Sequence, residues 1–159
     1  MKHKLIISIG IFFLLIACKK ESKPNPLLYI NRVNQLEILT VDDKCGEWGG
    51  NEKTITVYRD DLKGQLLADY IEKTKNCKNG KEPEITESIK RIKLTDEESE
   101  LILISINELC EKKLSKEDYP SHSGIYNRIM LRDSTLMISD FPSVELKSIN
   151  DLITKLKRK

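Results

Sequence analysis

Behind Leu27 the apolar residues first recur at every second position, the spacing of a strand with one buried face, and later at every third or fourth, the spacing of a helix. Residues 35–41 are rich in strand formers, and residues 54–59 alternate so that Ile55 and Val57 share a face. Between them residues 42–53 hold Gly46, Trp48, Gly49, Gly50 and Asn51 and read as a turn-rich loop. Residues 65–72 and 85–94 supply two further strands, divided by a polar run in which Asn79-Gly80 marks a turn.

The period then changes. Thr95 followed three positions later by Glu98 predicts a capping box, and acids at 96, 97 and 98 suit the positive pole of a helix. Residues 96–114 form an amphipathic helix with Leu103, Ile106 and Cys110 on its buried stripe and Ile102 and Leu109 beside it. Residues 125–131 and 135–139 are short apolar segments about Arg132-Asp133-Ser134, which reads as a hairpin. After Pro142 the apolar residues Leu146, Ile149, Leu152, Ile153 and Leu156 fall on one face of a last helix. Lys155, Lys157, Arg158 and Lys159 suit the negative pole of that helix, a simpler role for the basic tail than contact with anionic lipid. The order implies an α+β domain: a mainly antiparallel sheet of five to six strands with two amphipathic helices on one face. No period of 20 to 50 residues recurs, which excludes solenoids and propellers.

At 159 residues and 39% hydrophobic content the chain suits one folded domain. Its formal charge is +2, and Lys2 and Lys4 lie in a segment expected to be removed, so the remainder is balanced at 25 basic and 25 acidic residues. That balance argues against a nucleic-acid partner, which needs an excess of cations gathered on one face.

Residues 1–18 run from a basic start, Met1-Lys2-His3-Lys4, through an apolar stretch to Leu15-Ile16-Ala17-Cys18. The apolar stretch from Leu5 to Ala17 is 13 residues, short of the roughly 20 that span a bilayer as a helix, and so reads as a signal peptide. Its last four positions resemble the lipobox of bacterial lipoproteins, cut by the type II signal peptidase. The resemblance implies removal of residues 1–17, acylation of Cys18 (a diacylglycerol with a further acyl chain such as palmitate) and residence at a membrane through that anchor without a spanning helix. Residues 18–26, polar and with Pro24 and Pro26, then read as a tether, and residues 27–159 as the single domain. Lys19 stands where an Asp is associated with inner-membrane retention, so the outer membrane is favoured in a host that has one.

An exported domain meets an oxidising compartment. Cys45 and Cys77 lie in polar, turn-rich loops and are expected to pair, leaving Cys110 as a free thiol on its helix. A metal site made from Cys45, Cys77, Cys110 and His122 lacks the short ligand spacing of structural zinc, and no motif calls for a cofactor. His122 sits in a loop between Ser121 and Ser123. No Gly-x-Ser-x-Gly elbow accompanies it, and an exposed turn histidine is the simpler reading. The acid pairs at 42–43, 60–61 and 97–98 read as turn and capping residues.

Two places remain as candidate binding sites. One is the loop of Trp48, the residue type most enriched in binding hot spots, with a Trp folded back as a lid on the sheet as the simpler alternative. The other is Ser121, His122 and Ser123. Ser123-Gly124 and Tyr126 resemble, over a few residues, the loops that bacterial lysozyme inhibitors insert into the lysozyme cleft, and a plain turn is preferred. The expectation is a non-enzymatic envelope lipoprotein that binds a protein or glycan partner, possible inhibitor and immunity roles included. The alternatives are an envelope hydrolase using His122 and nearby acids, and a purely structural accessory.

Overall fold

The structure is a computed structural model that describes residues 27–78, 80–117 and 120–159. Six strands are present: β1 Leu36–Val41, β2 Glu52–Tyr58, β3 Leu67–Thr74, β4 Glu84–Lys93, β5 Ile125–Leu131 and β6 Met137–Ser143. Two helices accompany them, α1 Asp96–Ser115 between β4 and β5, and α2 Lys147–Leu156 after β6. The strands form one sheet in the order β4-β3-β2-β1-β5-β6, every neighbouring pair antiparallel. Returning from the β4 edge to β5 means crossing four strand spacings, about 19 Å. A helix of 20 residues, about 30 Å long, makes that crossing.

Registers divide the buried side of the sheet into rows. Ile92, Ala68, Val57, Leu36 and Leu131 make one, and Ile89, Tyr70, Ile55, Ile38, Ile129 and Ile138 the next. Ile102 and Leu109 of α1 and Ile149, Leu152, Ile153 and Leu156 of α2 join the buried members of these rows in one core. Each fully buried aliphatic side chain there contributes about 1.5–3 kcal/mol. The helices are tied to each other through Glu108 of α1. Its carboxylate accepts from the backbone N of Lys147 (3.3 Å) and Ser148 (3.2 Å) and from Ser148 Oγ (2.5 Å), capping a helix whose own N-cap, Leu146, has no side chain for the task.

The capping box is present: Thr95 Oγ1 accepts from Glu98 N (3.2 Å), and Glu98 Oε2 accepts from Thr95 N (2.7 Å). The buried stripe of α1 differs from the expected one. It follows Glu98, Ile102, Ser105 and Leu109, while Leu103, Ile106 and Cys110 are half-buried beside it. Ser105 is tolerated in the line because its hydroxyl donates to Leu101 O (2.8 Å) within the helix. The β5–β6 turn is also longer than expected. Asp133 Oδ1 accepts from both the N (3.0 Å) and Oγ1 (2.7 Å) of Thr135, which keeps Thr135 in the turn, and β6 runs on through Pro142. Of the expected Asn79-Gly80 turn, Asn79 lies outside the described residues, and Gly80 has φ +63°. The basic tail does more than face a helix pole: Lys155 pairs with Glu97, Lys157 with Glu72 and Glu87, and Lys159 with Glu98.

The exposed edge β4 carries two register shifts against β3, and at one of them Arg91 adopts φ +57°. Arg91 is held there by Asp69, which accepts from its backbone N (2.8 Å), and by Asp60, which accepts from its guanidinium (2.7 Å). Such irregularity discourages another strand from pairing at the edge.

Candidate functional site

The strand directions sort the connections into two groups. Residues 27–35, 59–66, 94–95 and 132–136 lie at one end of the sheet, called proximal because the chain enters the fold there. Residues 42–51, 75–78, 80–83, 116–117, 120–124 and 144–146 belong to the other, distal end. Val41 and Tyr126 are paired at that end, so the loops of Trp48 and of His122 leave the sheet from adjacent strands.

The Trp48 loop is built on Asp42. Its Oδ1 accepts from the backbone N of Lys44 (3.1 Å) and Asn51 (2.8 Å), and its Oδ2 from Asn51 Nδ2 (2.9 Å). Position 50 must be glycine, since a Cβ there would stand 1.8 Å from Asp42 Oδ1. The disulfide Cys45–Cys77 joins this loop to the β3–β4 connection, with Cα atoms 5.3 Å apart, and Cys110 is free. A 3-10 turn over Gly46–Trp48 then presents the indole outward at 73% exposure, so Trp48 is not folded back as a lid.

The second loop is plainer. Ser121 Oγ donates to Ser123 O (2.5 Å) in a local turn, and His122 is exposed with no carboxylate or hydroxyl partner among the described residues. Gly124 lets this loop run against β6, because a Cβ there would lie 2.5 Å from Pro142 Cβ.

Beneath these loops the buried side of the sheet changes character. The row beyond Ile38 and Ile55 consists of Glu87, Glu72, Lys53, Thr40, Asn127 and Asp140, one from each strand and each paired with the next. Its two ends are neutralised. Lys157 Nζ donates to Glu72 Oε2 (2.5 Å) and pairs with Glu87 (2.7 Å), while Tyr70 OH donates to Glu72 Oε2 (2.8 Å). The hydrogen bond from Lys157 holds the Glu72 carboxyl below its usual range against the cost of burial. Burial pulls Lys157 down, but its bonds to Glu72 and Glu87 outweigh that and leave it raised. Burial and then the Glu72 carboxylate push the Tyr70 phenol up. At the other end Lys116 pairs with buried Asp140 and donates to Phe141 O (3.0 Å) and Pro142 O (2.9 Å).

The middle of the row is less complete. Asn127 Nδ2 donates to Ser143 Oγ and Val144 O (2.9 Å each), but buried Asn127 Oδ1 and Thr40 Oγ1 have no protein partner. Thr40 lines a small pocket of about 60 Å³ with Lys53, Ile125, Glu145, Ile149 and Asn150. Lys53 has no ion pair among the described residues. These groups are an ammonium, a carboxylate, an amide and a hydroxyl over an apolar floor, a set that orients a polar group by hydrogen bonds.

Neither a protein-family model, nor a curated protein, nor a solved structure matches the chain. The functional reading therefore rests on the residues themselves. Among the described residues no three His, Cys, Asp or Glu side chains gather as metal ligands, and no helix is long and apolar enough to cross a membrane. Cys18 lies outside the described residues. Trp48 and the 121–123 loop leave the same end of the sheet, whereas Lys53, Thr40 and Asn127 were missed from the sequence. Their signal was present: each is a polar residue at the buried phase of a strand otherwise alternating cleanly, as in Lys53-x-Ile55-x-Val57 and Asn127-x-Ile129-x-Leu131.

Proposed function

We propose that this is an envelope lipoprotein, acylated at Cys18 after loss of residues 1–17 and held by the tether 18–26. Its domain, residues 27–159, is a binding module for a protein or glycan of the envelope, with an inhibitor or immunity protein as narrower forms. Both helices cover the buried face of the sheet, a reading supported by the single core they share with it and by the reach of Lys116 and Lys157 into the polar row.

One observation carries the proposal: the chain enters at the proximal end, while the Trp48 loop, the 121–123 loop and the pocket are distal. The six residues of β1 separate the two ends, about 20 Å. An anchor at Cys18 then leaves the exposed indole and the pocket facing away from the bilayer. Support for binding over catalysis comes from the chemistry at hand, since the pocket offers hydrogen-bonding groups and no activated nucleophile beside a base.

Two experiments test this. Cys18→Ser is expected to abolish palmitate incorporation and membrane fractionation, and full retention would remove the anchor. The tagged, lipidated protein, mildly crosslinked in its own envelope, is expected to capture a stoichiometric partner whose yield falls in Trp48→Ala and Lys53→Ala at unchanged thermal stability. Unchanged yield in both removes the surface. A hydrolytic activity lost in His122→Ala with the fold intact would make the protein an enzyme instead.

A further inference from the structure

Large apolar side chains are exposed at the proximal end in a way that isolated surface residues do not explain. Leu28, Tyr29, Val33 and Leu62 are between 60% and 79% exposed, and all four lie on the two loops 27–35 and 59–66. Scattered exposed apolar residues are normal; a group on neighbouring loops marks a contact surface.

The loops are joined by Arg59, itself only 2% exposed. Its Nη1 donates to Leu27 O (2.6 Å) and Ile30 O (3.0 Å), and its Nε to Gly64 O (2.9 Å). Leu27, Ile30 and Leu66 pack inward from the same segments, so the backbone is fixed from below and the outward side chains cannot turn into the core. Asn31 Oδ1 accepts from Val33 N (2.8 Å) and Asn34 N (2.9 Å), fixing the turn that presents Val33.

The charges around this group that have no ion pair are mostly cationic. Arg32, Lys63 and Arg132 are exposed and have no ion pair among the described residues. The carboxylates nearby are engaged: Asp133 accepts from Tyr29 OH, Asn34 and Thr135, and Asp60 from Arg91. Asp61 is the exposed acid left beside Lys63. Apolar side chains flanked by unpaired cations match the boundary between acyl chains and anionic headgroups.

The chain itself names the occupant. Cys18 stands nine positions before Leu27, a reach of about 30 Å when fully extended. The proximal loops are the first part of the domain that the chain meets after the anchor, and they lie within that reach of the bilayer. We propose that the proximal end, through Leu28, Tyr29, Val33 and Leu62, rests in the headgroup region of the membrane that holds Cys18, with Arg32, Lys63 and Arg132 facing lipid phosphates. This inference rests on the lipoprotein reading for its geometry.

The test places the full lipidated protein in phosphatidylethanolamine–phosphatidylglycerol vesicles with brominated acyl chains, which quench indoles at the bilayer surface. Native Trp48 reports the distal end, and Leu62→Trp in a Trp48→Phe background reports the proximal end. The expected result is flotation with the vesicles, loss of most emission with a blue shift for the Leu62→Trp indole, and no change for Trp48. The further substitutions Val33→Asp and Leu28→Asp, both at exposed positions, are expected to restore that emission while flotation persists. Flotation without proximal quenching, or with Trp48 quenched equally, overturns the inference and leaves lipidation standing. Failure to float overturns the anchor and this inference with it.

Discussion

The two ends of the sheet solve the same problem differently. At the proximal end the buried guanidinium of Arg59 satisfies three backbone carbonyls, and Asn34 and Asp133 exchange hydrogen bonds between segments 99 residues apart. At the distal end the sheet runs out of apolar side chains one row early, and two buried oxygens, Thr40 Oγ1 and Asn127 Oδ1, have no protein partner. Buried polar atoms left in this condition cost stability, and native proteins retain them where a water or ligand completes the set. On the proposed reading the proximal end holds the fold to its tether and the distal end meets the partner.

The largest effect expected from breaking this contrast is on the distal loops as a whole. Cys45→Ser with Cys77→Ser frees two loops joined across 32 positions, and loop entropy assigns the bond about 3 to 4 kcal/mol, read as a lower urea midpoint. A comparable loss is expected at the other end. Arg59→Met leaves the carbonyls of Ile30 and Gly64 without their side-chain donor, while Leu27 O keeps the N–H of Ile30, and should cost about 3 kcal/mol by the same measurement. Equal stability in that variant would mean that the proximal loops are held by packing alone.

Acid sharpens the comparison between the polar row and the start of α1. Glu72 and Glu98 both titrate below their ordinary value of 4.5 in the folded protein. For Glu98 burial opposes the shift, and the bonds to Lys159 and Thr95 outweigh it. Below that ordinary value the unfolded chain binds more protons than the folded one, so their contribution is present above pH 4.5 and fades as pH falls through the folded-state values. Urea midpoints from pH 7 to pH 3 should decline, and Glu72→Gln should flatten the decline. Lys157, raised, works at the opposite extreme: its contribution is intact below its ordinary 10.5 and fades only as pH rises through the folded-state value.

Smaller effects discriminate more finely. Thr40→Val removes a hydroxyl that has no partner and is expected to raise stability by up to about 1 kcal/mol while weakening capture of the partner. A loss of stability there would show that the hydroxyl is satisfied in solution. Trp48→Ala, at an exposed position, should leave the unfolding midpoint within about 0.5 kcal/mol and still reduce partner capture.

Much of this was legible along the chain. Alternation located the strands at Ile55 and Val57, the Thr95–Glu98 pair located the start of α1, and polar loops around Cys45 and Cys77 pointed to their disulfide. What escaped was non-local. The α1 stripe was misplaced by one position because Ser105 and Glu98 occupy buried places that a polarity pattern assigns to solvent, Glu98 paired with Lys159 from 61 positions away and Ser105 bonded to Leu101 O within its own helix. The polar row escaped for the same reason. Lys53, Thr40 and Asn127 each stand singly at the buried phase of a strand, and only the registers of five strand pairs align them with Glu72, Glu87 and Asp140. The opposite placement of residues 27–35 and the Trp48 loop was legible, since the single strand β1 separates them, but the closing of the 121–123 loop onto the same end required the β1–β5 pairing.

The central claim is that recognition belongs to the distal end. Its most direct test is site-specific photocrosslinking in the native envelope, with a photoreactive residue placed at position 48 in one preparation of the lipidated protein and at position 62 in another. The account predicts a discrete protein or glycan adduct from position 48 and lipid adducts from position 62. A discrete partner captured from position 62, with none from position 48, would contradict it.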